Sequence, residues 1–326
     1  MKVCVCGGAG YIGSHCVKML INRGYEVVVI DNLSTGHVEA IDSQAKIYIG
    51  DIRNVDFVSS VFQAEAIGAV VHFCAKSLVG ESMVKPLEYF DNNVTGTQTM
   101  LDAMVKHNIR KIIFSSSAAV YGKQDVMPLT EESPTIPTNP YGETKLTMEK
   151  MMKWADAAHG VRYVSLRYFN VAGAYHTHEI GEDHNPETHL IPIVLQTVLG
   201  KRTTLQVYGN DYQTPDGTCI RDYIHVEDLI EAHLLALEYL LKGHESNIFN
   251  LGSEKGYSVM EVVRSCEKAT GIKVPIQIGL RRAGDPDQLI ASSRKIEKIL
   301  GWKPRMGLDE MIETAYLFHK EHPNGY

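Results

Sequence analysis

Lys2-Val3-Cys4-Val5-Cys6-Gly7-Gly8-Ala9-Gly10-Tyr11-Ile12-Gly13 is the stretch that decides the fold. Val3, Cys4, Val5 and Cys6 read as a short buried strand, and an apolar helical stretch, residues 14–23, follows the last glycine directly. Gly7 is expected to make the tight turn, Gly10 to let the backbone approach a pyrophosphate, and Gly13 to allow helix and strand to pack closely. The N terminus of the helix then faces the phosphates. A lone glycine triplet says little. A strand before it, a helix after it and a second strand, 26–30, ending in Asp31 make a dinucleotide site the best reading. Asp31 lies 18 positions beyond Gly13, near the spacing expected of a carboxylate that binds the adenosine ribose hydroxyls. A carboxylate there repels a ribose 2′-phosphate, so the expected cofactor is NAD rather than NADP. Asp51-Ile52 follows the apolar strand 47–49, where the next strand edge could meet adenine; a simple loop aspartate is the competing reading.

Working outward, the first ~170 residues alternate short apolar runs with helical stretches, the pattern of a doubly wound parallel α/β sheet. Candidate strands are 2–6, 26–30, 46–49, 69–73, 111–115 and 162–168, apolar on both faces as strands covered by helices must be. After residue 170 the chain turns richer in His, Gly, Pro and Thr, with one apolar helical stretch at 190–199. Residues 221–252 again read as strand, helix and strand, at 223–226, 228–241 and 247–251. Ser258-Val259-Met260-Glu261 is a capping box opening a further helix, and a short strand is expected near 274–278. The expected organisation is a Rossmann domain from 1–170 plus 221–252, and a smaller mixed α/β domain from 171–220 plus 253–326. Substrate should bind in the cleft between them, at the carboxyl ends of the strands.

The second chemical signal is Tyr141-Gly142-Glu143-Thr144-Lys145, with Ser117 upstream in Ser115-Ser116-Ser117. On a helix over 141–158 the tyrosine and lysine share one face. A phenol with a pKa of about 10 is a poor base at neutral pH, and bringing it to about 7 takes about 4 kcal/mol. The Lys145 ammonium and a cationic nicotinamide, shielded from water, are expected to supply that shift. Ser117 would hold the substrate oxygen whose proton Tyr141 removes, which is machinery for oxidising a carbinol. Tyr-x-x-x-Lys alone would describe an ordinary surface pair; the glycine turn at the other end of the chain changes the odds.

Composition narrows the rest. The 326 residues carry a net charge of −7, which argues against a nucleic-acid or anionic-membrane surface. Nothing reaches the ~20 apolar residues of a membrane span, no secretory segment precedes the first strand, and a cytoplasmic protein is expected. The six cysteines form no Cys-x-x-Cys pair and read as reduced thiols. The best metal candidate, His176-Thr177-His178-Glu179 with Asp183 and His184 nearby, lies in a polar loop without helical spacing, and no metal is expected.

Taken together, Gly7-x-x-Gly10-x-x-Gly13, Ser117, Tyr141-x-x-x-Lys145 and Arg167-Tyr168-Phe169-Asn170 resemble the extended short-chain dehydrogenase/reductase superfamily. Asp31-Asn32-Leu33, Val79-Gly80-Glu81-Ser82, Asp216 to Val226, Arg281-Arg282-Ala283-Gly284-Asp285 and His322-Pro323-Asn324-Gly325-Tyr326 resemble its UDP-galactose 4-epimerase family. The resemblance runs from the first strand to the last residues. It implies a bound NAD that is reduced and reoxidised within one turnover, with UDP-galactose and UDP-glucose interconverted through a 4-keto sugar. Tyr141, Lys145 and Ser117 would be the catalytic set. The resemblance also implies NAD contacts from Tyr11, Ile12, Asn32 and Asp51-Ile52, and from Phe73, Asn92, Ser115 and Tyr168. The UDP-sugar would be gripped by Asn170, Arg221, Arg282 and Asp285, with His189, Leu190, Tyr208 and Leu289 also lining its site. Two guanidiniums suit a diphosphate, and a carboxylate suits a vicinal diol. His189 stands where some members have asparagine, and Ser77 where some have lysine, so Lys76 is given no cofactor role. A homodimer through helices near 92–107 and 141–158 is likewise implied.

Two alternatives compete. A nucleotide-sugar 4,6-dehydratase of the same superfamily would share NAD and the Ser117, Tyr141 and Lys145 set, but it needs an acid and a base immediately after the serine. Ala118 and Ala119 stand there, and methyl groups cannot shuttle protons. A non-catalytic dinucleotide-sensing regulator would need neither the intact catalytic set nor a second nucleotide grip.

Overall fold

In the first strand Val3 and Val5 point one way and Cys4 and Cys6 the other, yet all four are buried, because the sheet has a core on each face. Val3 and Val5 join Cys16, Val17 and Leu20 of the first helix, together with Leu229, Ile230 and Leu234. Cys4 and Cys6 join Val58, Met100, Met104, Met148 and Met152 on the opposite side. The computed structural model describes residues 1–282 and 285–326; Ala283 and Gly284, at the centre of the Arg281–Asp285 motif, lie outside the described residues.

Seven strands form the large sheet, in the spatial order Asn247–Asn250, Arg162–Arg167, Lys111–Ser115, Ile67–His72, Lys2–Cys6, Glu26–Asp31 and Lys46–Ile49. All its pairings are parallel. The chain builds outward from Lys2–Cys6 to Lys46–Ile49, then crosses back to Ile67–His72 on the other side. That reversal opens a crevice beyond the carboxyl ends of Cys6 and His72. Phe73 N donates to Cys6 O at 2.8 Å there, so the two chain exits diverge from one point.

The helix Pro140–His159 explains itself from sequence. Pro140 occupies its first turn, Asn139 caps it by accepting from Gly142 N at 2.9 Å, and Gly160 ends it in the left-handed conformation at φ 67°. The capping box of Ser258 and Glu261 closes both ways at the start of Val259–Thr270, at 3.0 and 2.7 Å.

A second apolar cluster gathers Ile191, Val194, Leu195, Leu205, Val207, Val262, Cys266, Met311 and Ile312. Around it lie three small sheets. Leu205–Tyr208 pairs with Ile276–Gly279, and Ile220–Arg221 lies between Tyr257–Ser258 and Gln288–Leu289. The strand expected at 223–226 does not enter the large sheet. Tyr223–His225 pairs instead with Asn170–Ala172, a two-stranded parallel ribbon that follows Arg162–Arg167 along the chain. The helix after it, Val226–Leu241, returns Leu229, Ile230, Leu234 and Leu237 to the large-sheet core.

Candidate active site

The glycine turn has the division of labour its spacing predicts. Gly7 sits at φ +84°, and a side chain on it would meet Cys74 N at 2.8 Å. A Cβ on Gly13 would collide with the Gly7 carbonyl. Gly10 is different: a Cβ there would find only Gly7 O, at 3.6 Å, so this face of the turn is open for a close backbone approach. The helix Tyr11–Asn22 starts at Gly10 with no side-chain cap, leaving its first amides for an anion. Asp31 is 7% exposed; one carboxylate oxygen accepts from Ala9 N at 2.9 Å and the other from Leu33 N at 2.8 Å. It therefore ties the glycine turn to the second strand and keeps lone pairs for a diol. An open cradle, an uncapped helix end and a carboxylate at the second strand fit NAD.

The other expected cofactor residues fall around this crevice with individual differences. Tyr11 spends its hydroxyl on Gly173 O at 2.6 Å, so its amide is what faces the turn. Ile12 packs against the core behind the turn. Asn32 donates weakly to Asp51 at 3.4 Å, while Asp51 is engaged by Arg53, whose ion pair and hydrogen bonds hold its carboxyl down to about 2. Ile52 is buried beside Gly96. Phe73 lies against His233, with ring centres 5.0 Å apart. Asn92 donates to Asn93 at 2.9 Å, and Asn93 donates in turn to the Thr144 hydroxyl at 3.0 Å, clamping the helix that carries Tyr141 and Lys145.

Ser117 begins a short helical turn, Ala118–Tyr121, and its Oγ accepts from Ala119 N at 3.1 Å. Lys145 is 2% exposed; its Nζ donates to Ser115 O at 2.7 Å and lies 5.9 Å from the Tyr141 ring centre. Burial pulls the Lys145 ammonium down to about 7. The lowered tyrosine expected from the sequence is not what the chain's own residues produce. Burial pushes the Tyr141 phenol up, and the Ser117 hydroxyl opposes it. Desolvation acts on phenol and ammonium alike by disfavouring charge. The Ser115 hydroxyl and the Tyr168 phenol hydrogen-bond each other at the floor of the site.

Sequence reading missed what stands behind this set. Glu149, one helical turn beyond Lys145, and Arg167 form a buried two-bond ion pair, at 2.9 and 2.6 Å. Ser116 Oγ donates to the same Glu149 at 2.6 Å, and Arg167 donates to the Tyr121 hydroxyl at 2.9 Å. A lone glutamate at i+4 on the buried helix face, opposite the arginine of Arg167-Tyr168-Phe169-Asn170, was the available signal.

The expected substrate residues connect to this floor through Asn170. Its side chain donates to Asp222 O at 2.9 Å, which ties the residue after Arg221 to the segment that follows Tyr168. Arg221 forms an ion pair with Asp285 and donates to Pro286 O at 3.0 Å. Two residues assigned separate parts of the nucleotide thus face each other. Arg282 lies over the Tyr208 ring at 4.2 Å. Leu289 is in register with Arg221 in the small sheet. Leu190 opens the helix Leu190–Val198, directly after His189.

His189 makes an ion pair with Glu182, whose charge, outweighing burial, raises the imidazole. Among the described residues, the grouped metal-type ligands are not those expected. His176 pairs with Glu227, and His178 stands 3.7 Å from Glu321. Glu182, His184, Glu187 and His189 converge instead.

Known proteins bear on this geometry. The sequence matches the GDP-mannose 4,6 dehydratase family over residues 4–315. It is 55% identical to the UDP-glucose 4-epimerase of Lacticaseibacillus casei over 100% of this chain and 99% of that one. The fold superposes on a crystal structure of UDP-glucose 4-epimerase with a TM-score of 0.99, at 54% identity, covering 100% of this chain and 99% of that chain. It also matches the UDP-glucose 4-epimerase of Bifidobacterium longum in complex with NAD+ and UDP, with a TM-score of 0.95, 41% identity and all of both chains covered. With this fold, this glycine turn and this Ser117, Tyr141 and Lys145 arrangement, the chain belongs to the UDP-glucose 4-epimerase family of the extended short-chain dehydrogenase/reductases.

Proposed function

We propose that this protein is an isomerase that interconverts UDP-galactose and UDP-glucose by transient oxidation at C4. The carrying observation is the set of buried Ser117 and Lys145 with half-buried Tyr141, on the floor of a crevice beside an uncapped glycine turn. NAD would be held by the turn at Gly7, Gly10 and Gly13, by Asp31 and by Lys145; when bound it takes a hydride from C4 and returns it. Ser117 orients O4 through its hydroxyl. Tyr141 accepts the O4 proton as the 4-keto sugar forms and gives it back on the other face. Lys145, held by Ser115 O at 2.7 Å, would place its ammonium 5.9 Å from the Tyr141 ring centre, where positive charge favours the phenolate. Ala118 and Ala119 supply no acid or base, which disfavours dehydration.

Asn170, Arg221, Arg282, Asp285, His189 and Leu289 are the UDP-sugar wall in this reading, assembled from 171–220 and 253–326, with the cofactor half from 1–170 and 221–252. A firm grip on UDP keeps the ketone from escaping between the two hydride transfers. A homodimer through the helices near 92–107 and 141–158 belongs to the same proposal, supported by Trp154, which is 70% exposed on Pro140–His159. Cytoplasmic residence is supported by six unbridged cysteines, and among the described residues no helix is long and apolar enough to cross a membrane.

The test is to incubate the purified protein with UDP-galactose and no added NAD, assay UDP-glucose, and identify the dinucleotide released on denaturation. UDP-glucose formed by protein carrying NAD is the expected result. No UDP-glucose would overturn the function, and recovery of mainly NADP would overturn the role of Asp31.

A further inference from the structure

The loop between Gly181 and Leu190 holds four side chains whose ligand atoms all lie within 4.8 Å of one another: Glu182, His184, Glu187 and His189. We propose that these four form a binding site for one divalent transition-metal ion of the zinc type. A tetrahedral zinc with bonds of about 2.0–2.2 Å holds neighbouring ligand atoms about 3.3–3.6 Å apart. The two edges at His184 bracket that range. His184 Nδ1 lies 3.2 Å from Glu182 Oε1 and 3.7 Å from Glu187 Oε2, and His189 Nδ1 lies 3.9 Å from Glu187 Oε1. His189 and Glu182 are in direct contact. Both imidazoles thus turn the same nitrogen, Nδ1, toward the same two carboxylates, and the four converge from a single run of eight residues.

The carboxylates are placed rather than loose. Glu182 and Glu187 are 4% and 8% exposed, and Glu187 Oε1 accepts from the amides of Thr188 and His189 at 2.6 and 2.7 Å. That fixes the carboxylate plane and leaves Oε2 toward His184. The loop is anchored at its start as well: Gly181 N donates to the Tyr326 hydroxyl at 2.8 Å, and Tyr326 N donates to Asp183 at 3.1 Å. A two-imidazole, two-carboxylate set suits zinc, copper or nickel better than magnesium or calcium, which prefer all-oxygen shells. On binding, four metal–ligand bonds form, the two Nδ1 protons leave to solvent, and the His189–Glu182 hydrogen bond opens. The His184 ring stands edge-on to Tyr11, with centres 6.4 Å apart, so an ion here would tie the loop that precedes Leu190 to the neighbourhood of the glycine turn.

Chelator-treated protein that keeps its fold and dinucleotide, as judged by circular dichroism and the released nucleotide, is titrated with Co2+ and then with Zn2+. The expected result is one Co2+ per chain with the strong visible absorption of a tetrahedral site, displaced by one equivalent of Zn2+. His184→Ala and Glu187→Gln should each weaken binding more than tenfold, whereas His176→Ala, at the exposed histidine outside the cluster, should leave it unchanged. The absence of stoichiometric Co2+ in the parent overturns the proposal, whatever the variants do. So does a His176→Ala loss equal to that of His184→Ala. Metal binding is read without turnover, so this result stands apart from the proposed sugar chemistry.

Discussion

Lys145 and Arg221 are both cations of the candidate site, and they are held in opposite ways. Lys145 hangs from a capped twenty-residue helix, is 2% exposed, and donates to a backbone carbonyl two residues before Ser117. Behind it stand the Glu149–Arg167 pair and the Asn93–Thr144 clamp, neither of which a ligand would need to disturb. Arg221 lies on a two-residue strand and is paired with Asp285, 64 positions along the chain. Its neutralising partner is itself a residue expected to bind the nucleotide. On the proposed function, the catalytic wall would be fixed before any ligand arrives, whereas the anchoring wall would have to trade internal ion pairing for contacts to UDP. Errors in the first should appear in the chemical step and in stability; errors in the second should appear in affinity.

Tyr141→Phe is the sharpest way to break that contrast. The ring keeps its packing while the proton acceptor is lost, so kcat should fall by about 10²–10⁴ with dinucleotide and UDP binding retained. Steady-state kinetics check it, and turnover within twofold of the parent would remove Tyr141 from the mechanism. Glu149→Gln tests the bracing behind the wall. It leaves the Arg167 guanidinium buried without its anion, a loss of about 3–5 kcal/mol in unfolding free energy. Denaturant melts measure this, and a loss below about 1 kcal/mol would mean that the buried pair does not hold the site. Arg221→Met tests the anchoring wall. Losing charge-assisted bonds to a diphosphate should raise KM for the UDP-sugar by about 10- to 150-fold, or about 1.5–3 kcal/mol, with kcat within about twofold. A fall in kcat at constant KM would show that Arg221 belongs to the chemical step.

The same contrast explains what could be read from the sequence. The glycine turn and the Tyr141 helix are local devices, in which a residue's part follows from neighbours a few positions away, and Asp31 falls at a fixed spacing within one strand–helix–strand unit. The direction in which the chain's own residues move the phenol was not legible, because desolvation of Tyr141 depends on the fold; the lowering expected of Lys145 together with a cationic nicotinamide is a property of the loaded site. The ribbon of Asn170–Ala172 with Tyr223–His225 was invisible for a related reason: an apolar triplet carries no mark of which sheet it joins. Of the loop residues weighed as metal-type ligands, only His184 joins the Glu182–His189 cluster, because a loop without periodicity gives no rule for which side chains turn inward.

Leu289 offers the finest test of the anchoring wall, because it bears on the sugar rather than the nucleotide. It is partly buried and in register with Arg221, and its carbonyl accepts from Asp222 N at 3.0 Å, so the backbone that positions Arg221, the proposed diphosphate ligand, also positions this side chain. Leucine is smaller than tyrosine and brings no polar atom, leaving room for a 2-acetamido group without a hydrogen bond to reward it. Discrimination by apolar shape is weak, about 1–3 kcal/mol. UDP-GlcNAc and UDP-GalNAc should therefore be interconverted alongside the plain hexoses, with partial preference. Leu289→Tyr should suppress the acetamido activity by about 10- to 200-fold and spare the hexose activity. No UDP-GlcNAc epimerisation by the parent at saturating substrate would refute this and assign control of the pocket to another wall. Equal loss of both activities in the variant would instead make Leu289 a packing residue of the small sheet, with Arg221 displaced along with it.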